Sequence, residues 1–167
     1  MSESKIGLKL GSIWEVVCYD ADGKEKWREV NENLVVNVGL DDVLSSYFKG
    51  SGYTAAHYVG LKGAGTPVAA DTMASHSSWS EITSYDEATR PSLTLGSVSS
   101  QSVNNSASKA LFTQNAGTSI VGAFLNTNNT RGGTTGTLYG AVDFSSPQTV
   151  VIGDVLLVTV TLTAAAS

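Results

Sequence analysis

Two histidines, one cysteine and a scatter of carboxylates are the reactive groups of this sequence. His57 and His76 lie mid-chain with Asp71 between them and many serines nearby, while Cys18 stands alone near the start. A Ser/His/Asp relay needs its nucleophile on a sharp turn. No Gly-x-Ser-x-Gly elbow occurs, and neither histidine sits in a motif that fixes its partner. Both therefore read as structural, hydrogen-bonding residues.

Glu81, Asp86 and Glu87 have the residue types of a glycosidase acid pair, with Trp79 and Tyr85 as neighbouring sugar platforms. Arg90 follows closely and is a natural partner for Asp86 or Glu87. A short polar loop bearing both signs pairs within itself, so the cluster reads as a local ion-pair lock. Asp20-Ala21-Asp22-Gly23 has the look of a calcium loop, but Gly stands fourth instead of sixth and Lys24 follows; it reads as a hairpin turn. Gly60 to Gly65 carries the glycines and lysine of a phosphate cradle without Gly-Lys-Ser/Thr or a helix behind it, and reads as a flexible turn. Asn104-Asn105-Ser106 and Asn128-Asn129-Thr130 match glycosylation sequons and read as exposed loops. A single cysteine excludes a disulfide framework and a cysteine-rich zinc site. No cofactor and no metal are expected.

Composition points the same way. Of 167 residues, 22 are Ser, 17 Thr and 17 Gly, whereas only 15% are charged and the net charge is −5. Nucleic-acid binding requires clustered Lys and Arg, so no nucleic-acid partner is expected. The first ten residues lack the apolar run of a signal peptide, and the apolar stretch 150–166 alternates with Thr and contains Asp154. These features predict a soluble protein with no membrane partner.

The elements that would position these groups are almost all strands. Trp14, Val16 and Cys18 alternate with Ile13, Val17 and Tyr19, and with the turn at Asp20–Gly23 they predict an N-terminal β-hairpin over residues 1–36. Leu40, Val43, Leu44, Tyr47 and Phe48 repeat at i, i+3, i+4, i+7 and i+8, which predicts one helix near 38–49, capped by Asn37 and closed by Gly50. If that stripe is buried, cutting Leu44 or Phe48 to Ala costs about 2–5 kcal/mol. Further strands are expected at 57–61, 79–85, 93–98, 109–115, 120–125, 137–144, 149–151 and 154–163, the last the clearest alternation of all. About nine short strands with turn-rich spacing predict an all-β antiparallel sandwich, jelly-roll or immunoglobulin-like, as a single domain over 1–167.

Several segments together resemble a widespread group of small virion proteins of tailed bacteriophages. They are Asn33 to Leu40, Tyr58-Val59-Gly60-Leu61, Ala70 to Glu81, Tyr85 through Ala88-Thr89-Arg90-Pro91, Gly122-Ala123-Phe124-Leu125, Arg131 to Leu138, and Gly153-Asp154-Val155-Leu156 with its alternating tail. The resemblance runs from about Asn33 to Leu162. It implies a non-enzymatic structural protein of the virion, made in the bacterial host cytoplasm. The preferred role is a capsid decoration (cement) protein that binds the major capsid protein on the outer surface of the head and self-associates as a homo-oligomer. A tail-fibre-associated or baseplate part is the alternative, and a surface carbohydrate-binding module or small hydrolase the third reading. Contact is expected through the long loops 62–78 and 126–136, with Trp79, Arg90, Asn128 and Arg131 as interface candidates. Trp79 is equally readable as core.

Overall fold

The computed structural model describes residues 8–49, 52, 56–76 and 78–166. Among the described residues, ten strands form two antiparallel sheets packed as an all-β sandwich, one strand more than the sequence suggests. The first sheet orders β2 (Glu25–Glu32), β1 (Leu8–Tyr19) and β10 (Val155–Ala166), with β6 (Ser102–Asn104) and β7 (Ala110–Thr113) sharing the outer edge of β10. The second orders β3 (Leu34–Val35), β9 (Leu138–Val150), β8 (Thr118–Asn126), β4 (Tyr58–Ala64) and β5 (Ser80–Ile82).

Alternation in β1 aims Trp14, Val16 and Cys18 inward, opposite Val160, Val158 and Leu156 of β10. Val59, Leu61, Ala123, Leu125 and Val142 meet them from the other sheet, so the main core is the ordinary interior of a sandwich. Because β1 lies between β2 and β10, the N-terminal hairpin is built into the first sheet. Its turn is held by Asp20, whose Oδ1 accepts the N–H groups of Asp22 and Lys24, and Gly23 takes a φ of +78°. The return strand stops at Glu32, and Leu34–Val35 crosses to pair with β9. Residues 1–7 of the expected hairpin lie outside the described residues. Trp14 and Trp27 are not opposite each other; Trp14 faces Asn31, and Trp27 faces Cys18.

Several strand boundaries differ from expectation. The segments 137–144 and 149–151 are one strand, β9, broken by a bulge in which Phe144 to Pro147 oppose Val121 alone. Pro147 falls inside that bulge, where its missing N–H removes no ladder bond. Residues 93–98 form no strand, and the short β6 pairs with Thr161 to Thr163 instead. β7 takes Val155 to Val158 of the same edge, leaving a gap between the two partners. Asn105 closes it: its Nδ2 donates to the Val158 carbonyl at 3.1 Å and its Oδ1 accepts the Val160 N–H at 2.7 Å. The side chain thus continues the ladder, and Asn105 is buried, not part of an exposed sequon loop.

The expected helix over 38–49 is a short α-helix, α1 (Asn37–Val43), continued by a π-helical turn over Leu44–Phe48. Val36, in extended backbone and without a side-chain cap, holds the N-cap position; Asn37 is already helical. Gly50 lies outside the described residues. Four of the five residues of the apolar stripe point outward: Leu40 is 38% exposed, Leu44 55%, Tyr47 80% and Phe48 67%, while Val43 stays half-buried. Gly39 supplies the reason. It lies against the backbone of Tyr139 in β9, where a Cβ would come within 2.3 Å of the carbonyl oxygen, so the helix rotates its glycine inward and its stripe to solvent. Truncating Leu44 or Phe48 to Ala therefore opens no buried cavity and does not carry the cost of a core substitution.

The second sheet has a second apolar face. Phe124 lays its ring across Gly60, whose missing Cβ would sit 2.1 Å from a ring carbon. Val36, Met73, Trp79, Leu138 and Ala141 complete this cluster. Gly60 to Ala64 is therefore strand β4, not a flexible turn, and Lys62 within it is buried. Its Nζ lies 2.6 Å from Asp143 Oδ1 and donates to the Gly65 carbonyl. Among the described residues no helix is long and apolar enough to cross a membrane.

Candidate functional site

Arg90 and Arg131 clasp two segments against each other at the end of the second sheet. Arg90 follows edge strand β5, and Arg131 lies in the loop 127–137 that joins β8 to β9. The Arg90 guanidinium meets Glu81 with two parallel bonds, Nε to Oε1 at 2.9 Å and Nη2 to Oε2 at 2.7 Å. Its remaining donors reach the carbonyls of Asn128 at 2.8 Å and Gly133 at 2.7 Å, and its backbone N–H donates to Asn129. Arg131 returns the gesture, donating to the carbonyls of Tyr85 and Glu87 across the same seam. Each arginine also lies over an aromatic face: Arg90 is 5.2 Å from the Phe124 centroid, and Arg131 is 5.1 Å from that of Tyr85.

The partner of Arg90 is Glu81, not Asp86 or Glu87 as the spacing suggested. Glu87 instead accepts the N–H and hydroxyl of Thr113, and Asp86 is exposed. Glu81 Oε2 takes a further bond from Gly132 N–H at 2.9 Å. Both oxygens of Glu81 are thus engaged within the chain, which is the geometry of an anchor. With Arg90 only 1% exposed, its guanidinium grips this chain and presents nothing outward. The ion-pair lock is present, with one member reassigned.

Loop 127–137 is tied internally as well. Asn126 Nδ2 donates to the Thr135 carbonyl, Thr137 N–H to the Thr127 hydroxyl, and Thr130 N–H to Asn128 Oδ1. Asn128 and Arg131 are half-buried by these duties. Asn129, Thr130, Gly132, Thr134, Thr135 and Gly136 are the residues that face solvent. They offer a neutral surface of hydroxyls, amides and backbone on a braced support.

Of the other expected contact loop, 62–78, residues 62–64 belong to strand β4, and residues 65–76 and 78 run over the outer face of the second sheet as its cover. Trp79 is buried there, donating Nε1–H to Asp71 Oδ2 at 2.9 Å and stacking on His76 at 4.0 Å between ring centroids. His76 Nδ1 pairs with the Trp79 carbonyl, and Asp71 also accepts the Val68 N–H. Trp79, Asp71 and His76 are therefore one structural knot that closes the loop. His57 lies elsewhere, edge-on to Tyr139; burial pushes its pKa down while the charge of Asp42 pulls against that. The Cys18 thiol is pushed up to about 12, chiefly by burial and then by the charge of Asp154, so it stays protonated at neutral pH.

One polar cluster has no signal in the sequence. Glu29 of β2 is buried and accepts bonds from Asn31 Nδ2, from both the N–H and hydroxyl of Ser145, and from Gln148 Nε2. It staples the edge of the first sheet to the bulge of β9. Neither a protein-family model nor a curated protein matches the chain.

Proposed function

We propose that this chain is a non-enzymatic virion structural protein of a tailed bacteriophage, which binds the outer surface of the capsid as a decoration protein and stabilises the DNA-filled head. One observation supports the reading above the others: the reciprocal arginine clasp that braces loop 127–137 and leaves Asn129, Thr130, Thr134 and Thr135 at its surface. A loop held in one conformation before contact loses little entropy on binding, which is how a neutral surface gains affinity. Hydroxyl and amide groups suit a contact made by shape and hydrogen bonding, with little contribution from charge. Repetition over a lattice multiplies modest single contacts when the binding units are linked. The segments that resemble phage virion proteins include the core of this clasp, Tyr85 through Arg90 and Arg131 to Leu138. The protein is made in the host cytoplasm and ends on the particle surface.

The test is binding to heads. Purified chain added to undecorated capsids should cosediment at a fixed ratio to the major capsid protein, and Thr130→Lys with Thr134→Lys should abolish that. A few copies per virion, found by gel densitometry of purified particles, would place the chain in the tail and overturn the assignment.

A further inference from the structure

The helical segment 37–48 carries Leu40, Leu44, Tyr47 and Phe48 to solvent, and its charges are arranged along that stripe in an order that fits a second copy of itself. Leu40, Leu44 and Phe48 form a line four residues apart, with Tyr47 packed edge-on against Phe48 at 5.0 Å. Surface apolar groups scattered singly are ordinary, but a continuous stripe of this kind marks an interaction surface. The inward side of the helix is held by Gly39 against β9 and by Val43 and Ser46, which line a cavity of about 400 Å³ with Leu125 and Tyr139; Tyr47 edges the same cavity from the flank of the stripe.

The π turn sets the charges. In a continuous α-helix, at about 100° per residue, Lys49 would fall on the side opposite Leu40. Here the Lys49 N–H bonds back to the Leu44 carbonyl, an i→i+5 closure that advances the chain less per residue. Lys49 is thereby turned toward the flank that carries Asp41, and both are exposed. The two lie eight residues apart, at most about 12 Å along the axis, the rise of an uninterrupted α-helix. The stripe therefore has an acid beside one end and a base beside the other.

We infer that two copies of this chain pair through these helices, antiparallel about a two-fold axis at Leu44. An isologous contact of that kind sets Leu44 on its own copy, each Leu40 opposite the other chain's Phe48, and each Asp41 beside the other chain's Lys49. The small apolar residue meets the large one, and both charge pairs are satisfied at once. A chain of net charge −5 repels its copies in general, so a stable contact must bring the base of one to the acid of the other. An unrelated partner would not call for that reversal of charge along the stripe. The pairing does not depend on the capsid assignment.

Sedimentation of the full chain over a concentration series tests it. The wild type should pass from monomer to dimer mass as concentration rises into the high micromolar range. Asp41→Lys alone and Lys49→Asp alone should each weaken dimerisation at least tenfold, since each puts two like-charged contacts across the axis. An equimolar mixture of the two single variants should recover a heterodimer, because each chain then supplies what the other lacks. These substitutions lie at exposed positions, and unchanged thermal melts confirm the fold. A wild type that stays monomeric, single variants that dimerise like the wild type, or a mixture that remains monomeric would each overturn the pairing.

Discussion

Replacing Arg90 by Met isolates the brace on which loop 127–137 depends. Met keeps much of the stem that lies over Phe124 and removes the guanidinium, with its four side-chain bonds to Glu81, Asn128 and Gly133. Glu81 is left as a mostly buried carboxylate whose remaining partner from loop 127–137 is the Gly132 N–H. Removing one member of a buried pair costs about 3–5 kcal/mol, most of it the penalty on the charge left behind. For a chain of this length that lowers Tm by roughly 6–20 °C, at about 2–4 °C per kcal/mol. Adding Glu81→Leu should return part of the loss, because no orphaned charge remains, and the double-mutant cycle should give a coupling of about 2–3 kcal/mol. Urea unfolding followed by tryptophan fluorescence measures all three variants. Limited proteolysis reads the local effect, with new cleavage between Asn128 and Gly136 in Arg90→Met alone. A loss under about 1 kcal/mol, or a coupling indistinguishable from zero, would refute the view that this pair braces the loop.

Other perturbations follow from the same structure. Phe112→Ala, inside the main core, should cost about 3–5 kcal/mol, whereas Phe48→Ala should change urea stability of the monomer by less than about 0.5 kcal/mol. Burial pushes the Glu29 carboxyl up, but bonds from Asn31, Ser145 and Gln148 outweigh it and hold the pKa below the ordinary range. Its stabilisation is therefore present above the unfolded value of about 4.3 and lost as pH falls through the folded one. Glu29→Gln should flatten that acid-side decline in urea melts taken at successive pH values. Burial holds His57 neutral in the fold, so stability should begin to fall as pH drops below about 6.5, where the unfolded chain takes up the proton. His57→Phe should remove that slope, and Asp42→Asn should deepen it. Asn105→Ala leaves the Val158 carbonyl and Val160 N–H without their partner, at about 1–3 kcal/mol for each buried group; faster hydrogen exchange at Val160 would report it.

Strand content was legible because alternation is a local signal. The faces of β1 and β10 follow directly from Trp14, Val16 and Cys18 and from Leu156, Val158 and Val160, and the register pairs those very residues. The helix was legible as a helix but not in its orientation. Periodicity reports that a stripe exists, while its direction is decided by Gly39 against Tyr139, a contact one hundred residues apart. The arginine clasp was half visible. Opposite charges in one short segment announced a lock, yet the choice of Glu81 over nearer carboxylates depends on how β5 leaves the sheet edge. Asn105 and Glu29 gave no signal because most of their partners are neutral backbone, hydroxyl and amide groups brought from distant segments.

The cover formed by residues 65–76, 78 and 79 has a practical consequence for anyone who would label or fuse this protein. Phe124, Met73 and Trp79 make the second sheet apolar on both sides, so the segment above it is a wall of the building, not a balcony. An affinity tag or reporter domain inserted there should spill that cluster into water and send the chain toward aggregation. The hairpin tip at Ala21–Gly23 should tolerate such cargo far better, since it is exposed and held by the Asp20 side chain.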